Sequence, residues 1–299
     1  MENFYPVVVK KDGTVIHDIF ASGHRDLLNK YLSPAEIAEK DYFVGQYRPK
    51  ESHRLDDVDN YTLINNKLYF PDWFTGDFQK KVMSELKDVI ANMIIRGRKK
   101  LLLHDGVIMN RMTRVEEAKH SVIFAMYDEA RVNNIDESTV VKHMTDDAFI
   151  GKMKDGSRVD EMMGFAKVKE MQGYSKIVKM YGRAKVGEMR DHARIGVLKG
   201  DSNIMEMHDQ SKADRLKHMS RVDEMHDHTV IDEMWEWTVV GKMFDYARIN
   251  FMDEDSKVME MFGDSMIDQM YGNSVVERLY ENSLVRKLND AAQILSKEL

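Results

Sequence analysis

The chain has 299 residues, a formal charge of −7, 32% charged residues and no cysteine. That length allows a sizeable core and two domains, while the missing thiol excludes disulfides and thiolate metal sites. No apolar run nears the ~18 residues of a membrane span, and Met1-Glu2-Asn3-Phe4 lacks the layout of a signal peptide, so a cytoplasmic protein is expected.

Residues 4–20 read as a hairpin around Lys11-Asp12-Gly13, because Asp-Gly favours a short loop. Residues 24–32 have a helical pattern. Ser33-Pro34-Ala35-Glu36 places Ser at the N-cap, Pro at the first helical position and Glu at the third, so a short helix starts there. A strand is expected over Asp41–Tyr47 and a polar loop over 51–60. Tyr61–Ile64 and Lys67–Phe70 bracket Asn65-Asn66 as a second hairpin, and Pro71-Asp72-Trp73-Phe74 reads as an aromatic corner. Phe78, Val82, Leu86, Ile90 and Ile94 share one face of an amphipathic helix over 76–95, with the basic run Arg96–Lys100 at its end. All four prolines, Pro6, Pro34, Pro49 and Pro71, precede that helix. Proline removes a ladder donor, so its absence afterwards suits continuous sheet.

From Glu117 to Ile294 one nonapeptide, Met-x-x-x-Ser-x-Val-x-x, repeats without insertion. The first slot is Met, Leu or Ile at Met126, Ile135, Met144 and every ninth residue to Leu288. The fifth slot is Ser, Ala or Thr, and the seventh is Ile or Val except at Ala213. A helix is excluded: nine residues advance about 900°, half a turn past whole turns, so successive Met residues would face opposite ways. Ser-x-Val alternates as a strand does, and the third slot holds turn residues such as Asp155, Gly164 and Gly173. A strict period implies a solenoid.

The expected fold is therefore mainly β. Two nonapeptides make one coil of about 18 residues in a parallel β-solenoid, a β-roll with a small α+β N-terminal capping domain. Its expected boundaries are 1–99 for the N-terminal domain, 100–294 for the solenoid, with 100–116 as its first coils, and 295–299 for a tail. The helix of 76–95 is expected to cover the unpaired edge of the first coil. Ser, Val and Met should point inward, with Ser hydroxyls bonded to backbone or to one another.

Copies such as Met270-Tyr271-Gly272-Asn273-Ser274-Val275-Val276-Glu277, with the Pro71–Phe74 corner, resemble repeat tails in uncharacterised proteins of bacteriophages and gut bacteria. The resemblance covers most of the chain. It implies a phage or mobile-element accessory protein acting in the host cytoplasm, and it carries no established activity. The period also resembles calcium-binding β-rolls, but their Gly-Gly-x-Gly-x-Asp corners are missing.

Coils of two nonapeptides stack alternate repeats on the same corner. One corner then carries Arg190, His192, His208, His226, His228, Phe244, Tyr246, Phe262 and Tyr280. A zinc or nickel site at His208, His226 and His228 is conceivable, but a tolerant exposed corner explains the same residues, and no metal or other cofactor is expected. The opposite corner carries Phe165, Tyr181, Arg183, Lys217, Trp235, Trp237 and Tyr271. Second- and fourth-slot side chains should project outward. Aromatics concentrate at interface hot spots, so Phe165, Tyr181, Trp235, Trp237, Phe244, Tyr246, Phe262 and Tyr271 are the candidate partner-binding residues; stacking that only braces neighbouring corners is the other reading. A sheet face with Lys167, Lys185 and Arg221 beside Glu170, Glu188, Glu206 and Glu224 reads as solvated.

No catalytic residue is assigned. His24-Arg25-Asp26 lacks the rest of the kinase signature. Residues 117–299 hold 26 basic and 34 acidic groups, which disfavours nucleic acid. The expectation is a non-enzymatic module with a protein partner, open to homo-oligomerisation. Two alternatives stand beside it: a small N-terminal enzyme near Asp56, Asp57 and Asp72 with the solenoid as an oligomerisation handle, or a structural component of a virion or surface fibre.

Overall fold

A computed structural model describes residues 5–18, 21, 23–50, 57–65, 70–95, 102–103, 107–109 and 113–298. The chain divides into two compact units, Met1–Ile95 with Gly106–Ile108, and Arg96–Asp105 with Met109–Leu299. Among the described residues no helix is long and apolar enough to cross a membrane.

In the first unit, β1 (Pro6–Lys10) and β2 (Val15–His17) form the expected hairpin, with Val8 opposite Ile16. Gly13 takes φ 95 in its loop, and the Asp12 carboxylate accepts the Thr14 N–H at 2.9 Å. α1 (His24–Tyr31) packs on β1 through Leu27, in a core with Val8, Ala21 and Leu32. α2 (Pro34–Glu39) starts as expected, with Ser33 and Glu36 in a reciprocal capping box. Lys10 Nζ, 2.8 Å from Glu36, joins the Ser33 groups in holding the Glu36 carboxyl down at about 2.

β3 (Tyr42–Pro49) pairs antiparallel with β1 and runs past the expected end at Tyr47. β4 (Tyr61–Asn65) pairs antiparallel with β3, giving the sheet order β2-β1-β3-β4. The other half of the expected second hairpin, 66–69, lies outside the described residues, as does the basic run 96–100. α3 (Gly76–Met93) buries Val82, Leu86 and Ile90, the expected stripe. It ends two residues early, because Ile94 turns extended at φ −82, ψ 116. Phe43, Phe70, Trp73, Phe74 and Phe78 pack as one aromatic cluster, with Phe43 4.8 Å and Trp73 6.2 Å from Phe74 between ring centroids. Trp73 packs against this cluster and stays partly exposed.

The second unit is a parallel β-solenoid of about ten turns of roughly 18 residues. Alternate nonapeptides build one sheet from Arg114–Lys119 to Gln293–Glu298 and another from Val122–Met126 to Leu284–Leu288. Each strand pairs with the one two nonapeptides on, as in Val140 with Arg158 and Met144 with Met162. First, fifth and seventh slots point inward: Met171, Ser175 and Ile177 are wholly buried, like their counterparts through Val276. The seventh and next first slots are three residues apart, which a simple alternating strand would place on opposite faces. The pairing solves this by skipping the eighth slot, as at Asn133 and Gly151, so two outward residues separate two inward ones.

Two expectations about the ends change. Val115 and Ala118 are buried and pair with Val132 and Ile135 at an offset of 17. Ala118, not Glu117, therefore fills the first slot, and the corner from Lys119 to Ser121 is one residue short. Residues 295–298 are not a tail, since Gln293–Glu298 pairs with Val275–Tyr280 as a strand of the last coil.

The fifth slot corrects a third expectation. Thr229 Oγ1 donates to His226 O at 2.8 Å and Ser283 Oγ to Tyr280 O at 2.6 Å. The hydroxyls of Ser157, Ser175, Ser211 and Ser256 are buried without a partner. Ala replaces Ser here in several copies, among them Ala166 and Ala247, so the site demands small volume rather than a hydrogen bond. Accordingly, Ser175→Ala should raise the unfolding free energy by about 1–2 kcal/mol, because it removes a buried hydroxyl that has no partner. Ser175→Leu should cost about 1–3 kcal/mol through overpacking. Urea midpoints of the two variants check this.

Candidate partner-binding edges

Every corner turns at its third slot. From Asp128 to Asp290 that residue sits in the left-handed region, with φ between 47 and 75. Glycine and aspartate tolerate this best. The turn is closed by the fifth-slot N–H donating to the second-slot carbonyl, as in Ala130 to Tyr127 at 3.2 Å. Backbone pairing between coils continues around the corner, as in Thr145 N–H to Met126 O at 2.9 Å. Second and fourth slots therefore stand in columns along two opposite edges of the solenoid.

One edge has the third slots Gly173, Asp191, Asp209, Asp227, Asp245 and Gly263. Each aspartate reaches back one coil. Asp191 accepts the Gly173 N–H at 2.9 Å, Asp209 that of Asp191 at 3.0 Å, Asp227 that of Asp209 at 3.0 Å and Asp245 that of Asp227 at 3.2 Å. Four like charges are thereby each matched to a donor. On this aspartate edge the second slots form a ring column. His208 and His226 stack at 4.9 Å, His226 and Phe244 at 4.8 Å, Phe244 and Phe262 at 5.1 Å, and Phe262 and Tyr280 at 4.6 Å, all within 10° of parallel. Fourth-slot rings pair beside it, Tyr174 on His192 and His228 on Tyr246, each at 5.0 Å.

The imidazoles of this column do not converge. Parallel rings one coil apart cannot aim their in-plane nitrogens at one point. His208 Nε2 instead lies 3.0 Å from Glu206, and His226 Nε2 3.3 Å from Glu224. Among the described residues no three His, Asp or Glu side chains converge on a metal position. Glu206 and Glu224, expected on a solvated face, are thus tied to the ring column, and Glu188 likewise holds Arg190 at 2.8 Å.

The opposite, tryptophan edge carries Phe165, Tyr181, Trp235, Trp237 and Tyr271. Trp235 packs on Phe251 at 5.1 Å, and Phe251 on Tyr271 at 5.2 Å. Phe251, in a ninth slot, joins two of the expected residues and was missed because that slot is mostly charged. Trp235 Nε1 donates to Glu233 at 3.1 Å, and Tyr271 Oη to Gln269 at 3.1 Å. Cations cover two rings: Lys217 sits 5.8 Å from Trp235, and Arg183 5.6 Å from Phe165. Tyr181 lies beside Lys179, whose pKa it raises together with Glu161.

The eight expected residues therefore do not form one surface. Phe244, Tyr246 and Phe262 are on the aspartate edge and the other five on the tryptophan edge, where Phe165 and Trp237 are four coils, about 19 Å, apart. Nor do both corner slots project equally. Second-slot Tyr181, Trp235, Phe244, Phe262 and Tyr271 are half-buried with their faces or polar tips engaged. Fourth-slot rings are open: Phe165 is 50% exposed, Tyr246 58%, Trp237 64% and Tyr174 72%. Tyr174, absent from the expected set, belongs with them.

The N-terminal unit offers a weaker candidate. An open depression of about 410 Å³ is lined by Lys10, Lys11, Asp12, Glu36, Glu39, Asp41 and Tyr42. Its charges are largely used in ion pairs, Lys10 with Glu36 at 2.8 Å and Lys11 with Asp41 at 3.6 Å. Deeper in, Tyr5 Oη lies 2.9 Å from His17 Nδ1, while Asp18 accepts from Lys30 at 2.7 Å and Tyr31 at 2.9 Å. Burial raises the Tyr5 phenol and lowers the His17 imidazole, so both stay neutral near pH 7. Asp57 accepts from Asn60 at 2.8 Å, Asp72 is exposed, and Asp56 lies outside the described residues.

Comparison with family models, curated proteins and solved structures returns no match.

The aspartate column makes its own prediction. Asp209→Ala removes the acceptor of the Asp191 N–H and keeps a side chain in the left-handed region, so it should cost about 1–3 kcal/mol. Asp209→Gly loses the same acceptor without the backbone strain and should cost less. Thermal unfolding of the pair separates the two contributions; equal losses would show that the strain is absent.

Proposed function

We propose that the chain is a non-enzymatic protein-binding module that presents aromatic side chains from the corners of a rigid solenoid. The observation that carries this reading is the exposure of the fourth-slot rings, above all Trp237. A ring of that size left two-thirds open on a rigid backbone loses little conformational entropy on binding and offers a large apolar contact. Successive coils stand about 4.8 Å apart, so partner contacts are spaced as in a sheet. The acidic balance of the repeats fits a protein partner better than a phosphate backbone. A phage or mobile-element accessory protein that binds a host protein in the host cytoplasm is the setting that the resemblance of the repeat supplies.

The test is affinity purification of the tagged intact chain from bacterial lysate beside a Trp235→Ser/Trp237→Ser variant. The module reading predicts a stoichiometric protein with the wild type and its loss with the variant. Recovery of the same protein with both would show that the tryptophan edge is structural, and recovery of none would contradict the binding role.

A further inference from the structure

We propose that the partner of the tryptophan edge contributes a cationic segment, with an arginine or lysine seated on Trp237. The proposal rests on the binding-module reading and names the chemistry of its partner. Its starting point is how this edge treats its other rings. Phe165 carries the guanidinium of Arg183, from the next coil, at 5.6 Å, and Trp235 carries the ammonium of Lys217, from the preceding coil, at 5.8 Å. A cation over a ring face is attracted by the ring quadrupole, most strongly for Trp. Trp237 has neither a cation nor a ring partner among the described residues. Its fourth-slot neighbours one coil away are Met219 and Asp255, which supply an apolar flank and a carboxylate instead.

Around Trp237, Lys217 and His218 in the preceding corner of this edge are outnumbered by four acids. Glu236 precedes it in the same corner, and Asp253, Glu254 and Asp255 form the next corner on this edge. Glu236 meets His218. The Asp253 carboxylate accepts the Glu254 N–H at 2.6 Å, and that of Asp255 accepts from Asn273 at 3.3 Å. No ion pair with lysine or arginine involves these four acids among the described residues. Met219 is 60% exposed and Trp237 64%, so an apolar strip runs beside carboxylates that no lysine or arginine pairs with among the described residues. An acidic or purely apolar partner would leave those charges facing repulsion or desolvation. A segment carrying arginine or lysine satisfies the ring and the carboxylates together, and the aliphatic stem of either residue can lie along Met219.

The test uses the intact protein and a nine-residue peptide with blocked ends in which three arginines alternate with glycine and serine. A matched peptide has glutamate in place of arginine. Binding is measured by calorimetry for the wild type, Trp237→Ser, Asp255→Asn and Asp264→Asn. Asp264 is an exposed fourth-slot aspartate on the other edge, and it controls for the general acidity of the chain.

The proposal predicts that the wild type binds the arginine peptide and not the glutamate peptide. It predicts weakening of roughly three- to thirty-fold in Trp237→Ser, a smaller weakening in Asp255→Asn and none in Asp264→Asn. Equal binding by wild type and Trp237→Ser, or equal loss in Asp255→Asn and Asp264→Asn, would overturn it. A wild type that ignores the arginine peptide, yet loses its lysate partner when Trp235 and Trp237 are replaced, would overturn the cationic partner and leave the binding module standing. Trp237-dependent peptide binding without any lysate partner would support the site and contradict the module.

Discussion

A left-handed residue at the third position of every nonapeptide is the constraint on which the solenoid depends. It reverses the chain within a four-residue turn and returns the fifth residue to the core. For a non-glycine residue this conformation costs roughly 1–2 kcal/mol, yet aspartate, glutamate and histidine occupy it at most corners. The structure offsets that cost at several corners by turning a third-slot aspartate into the acceptor for the N–H one coil below, in a continuous run from Asp191 to Asp245. Because the turn recurs at fixed spacing, whatever stands beside it also recurs. The edges are therefore columns, and each side chain there is defined by what lies one coil before and one coil after it.

This stacking decides which ring faces stay exposed. A ring clamped between two parallel rings, like Phe244 between His226 and Phe262, has both faces occupied and presents a thin rim. A ring whose column neighbours are Met219 and Asp255, as for Trp237, keeps its face. The flat sheets contribute less. Arg194 forms a two-pronged pair with Asp214 at 2.8 Å, and Lys212 pairs with Asp232 at 2.6 Å. These pairs are partly exposed, and such pairs are worth about 0–1 kcal/mol each. They balance charge on the faces.

The architecture was legible because its core obeys one rule: methionine, small residue, β-branched residue, repeated without slippage. What escaped had weaker signatures. The short corner at Lys119–Ser121 was invisible because Glu117 completes the nonapeptide count, and it takes the strand register and the burial of Ala118 to show that the count slips. Asp191, Asp209, Asp227 and Asp245 stood in plain view one coil apart, but a turn needs aspartate for its own sake, so their capping of one another could not be separated from local preference. The eight candidate residues stand on two edges, as the 18-residue coil places them. Spacing alone does not say that second-slot rings are half-buried while the fourth-slot rings Phe165, Tyr174, Trp237 and Tyr246 are at least half exposed. Phe251 and Tyr174 lie outside the strongest aromatic run for the same reason.

The central claim is that two nonapeptides make one coil and that its two edges are not interchangeable. The most direct measurement compares the thermal stability of two deletions, residues 203–220 and residues 203–211. Both keep every first, fifth and seventh slot in place. Removing the longer segment takes out one whole coil and preserves each edge. Removing the shorter one takes out a single nonapeptide, carries everything downstream to the opposite edge and breaks the aspartate and aromatic columns. The account predicts that the shorter deletion is the less stable protein, although it loses less core. If the single-nonapeptide deletion is as stable as the longer one, or more so, the columns contribute nothing and the solenoid is held by its core alone.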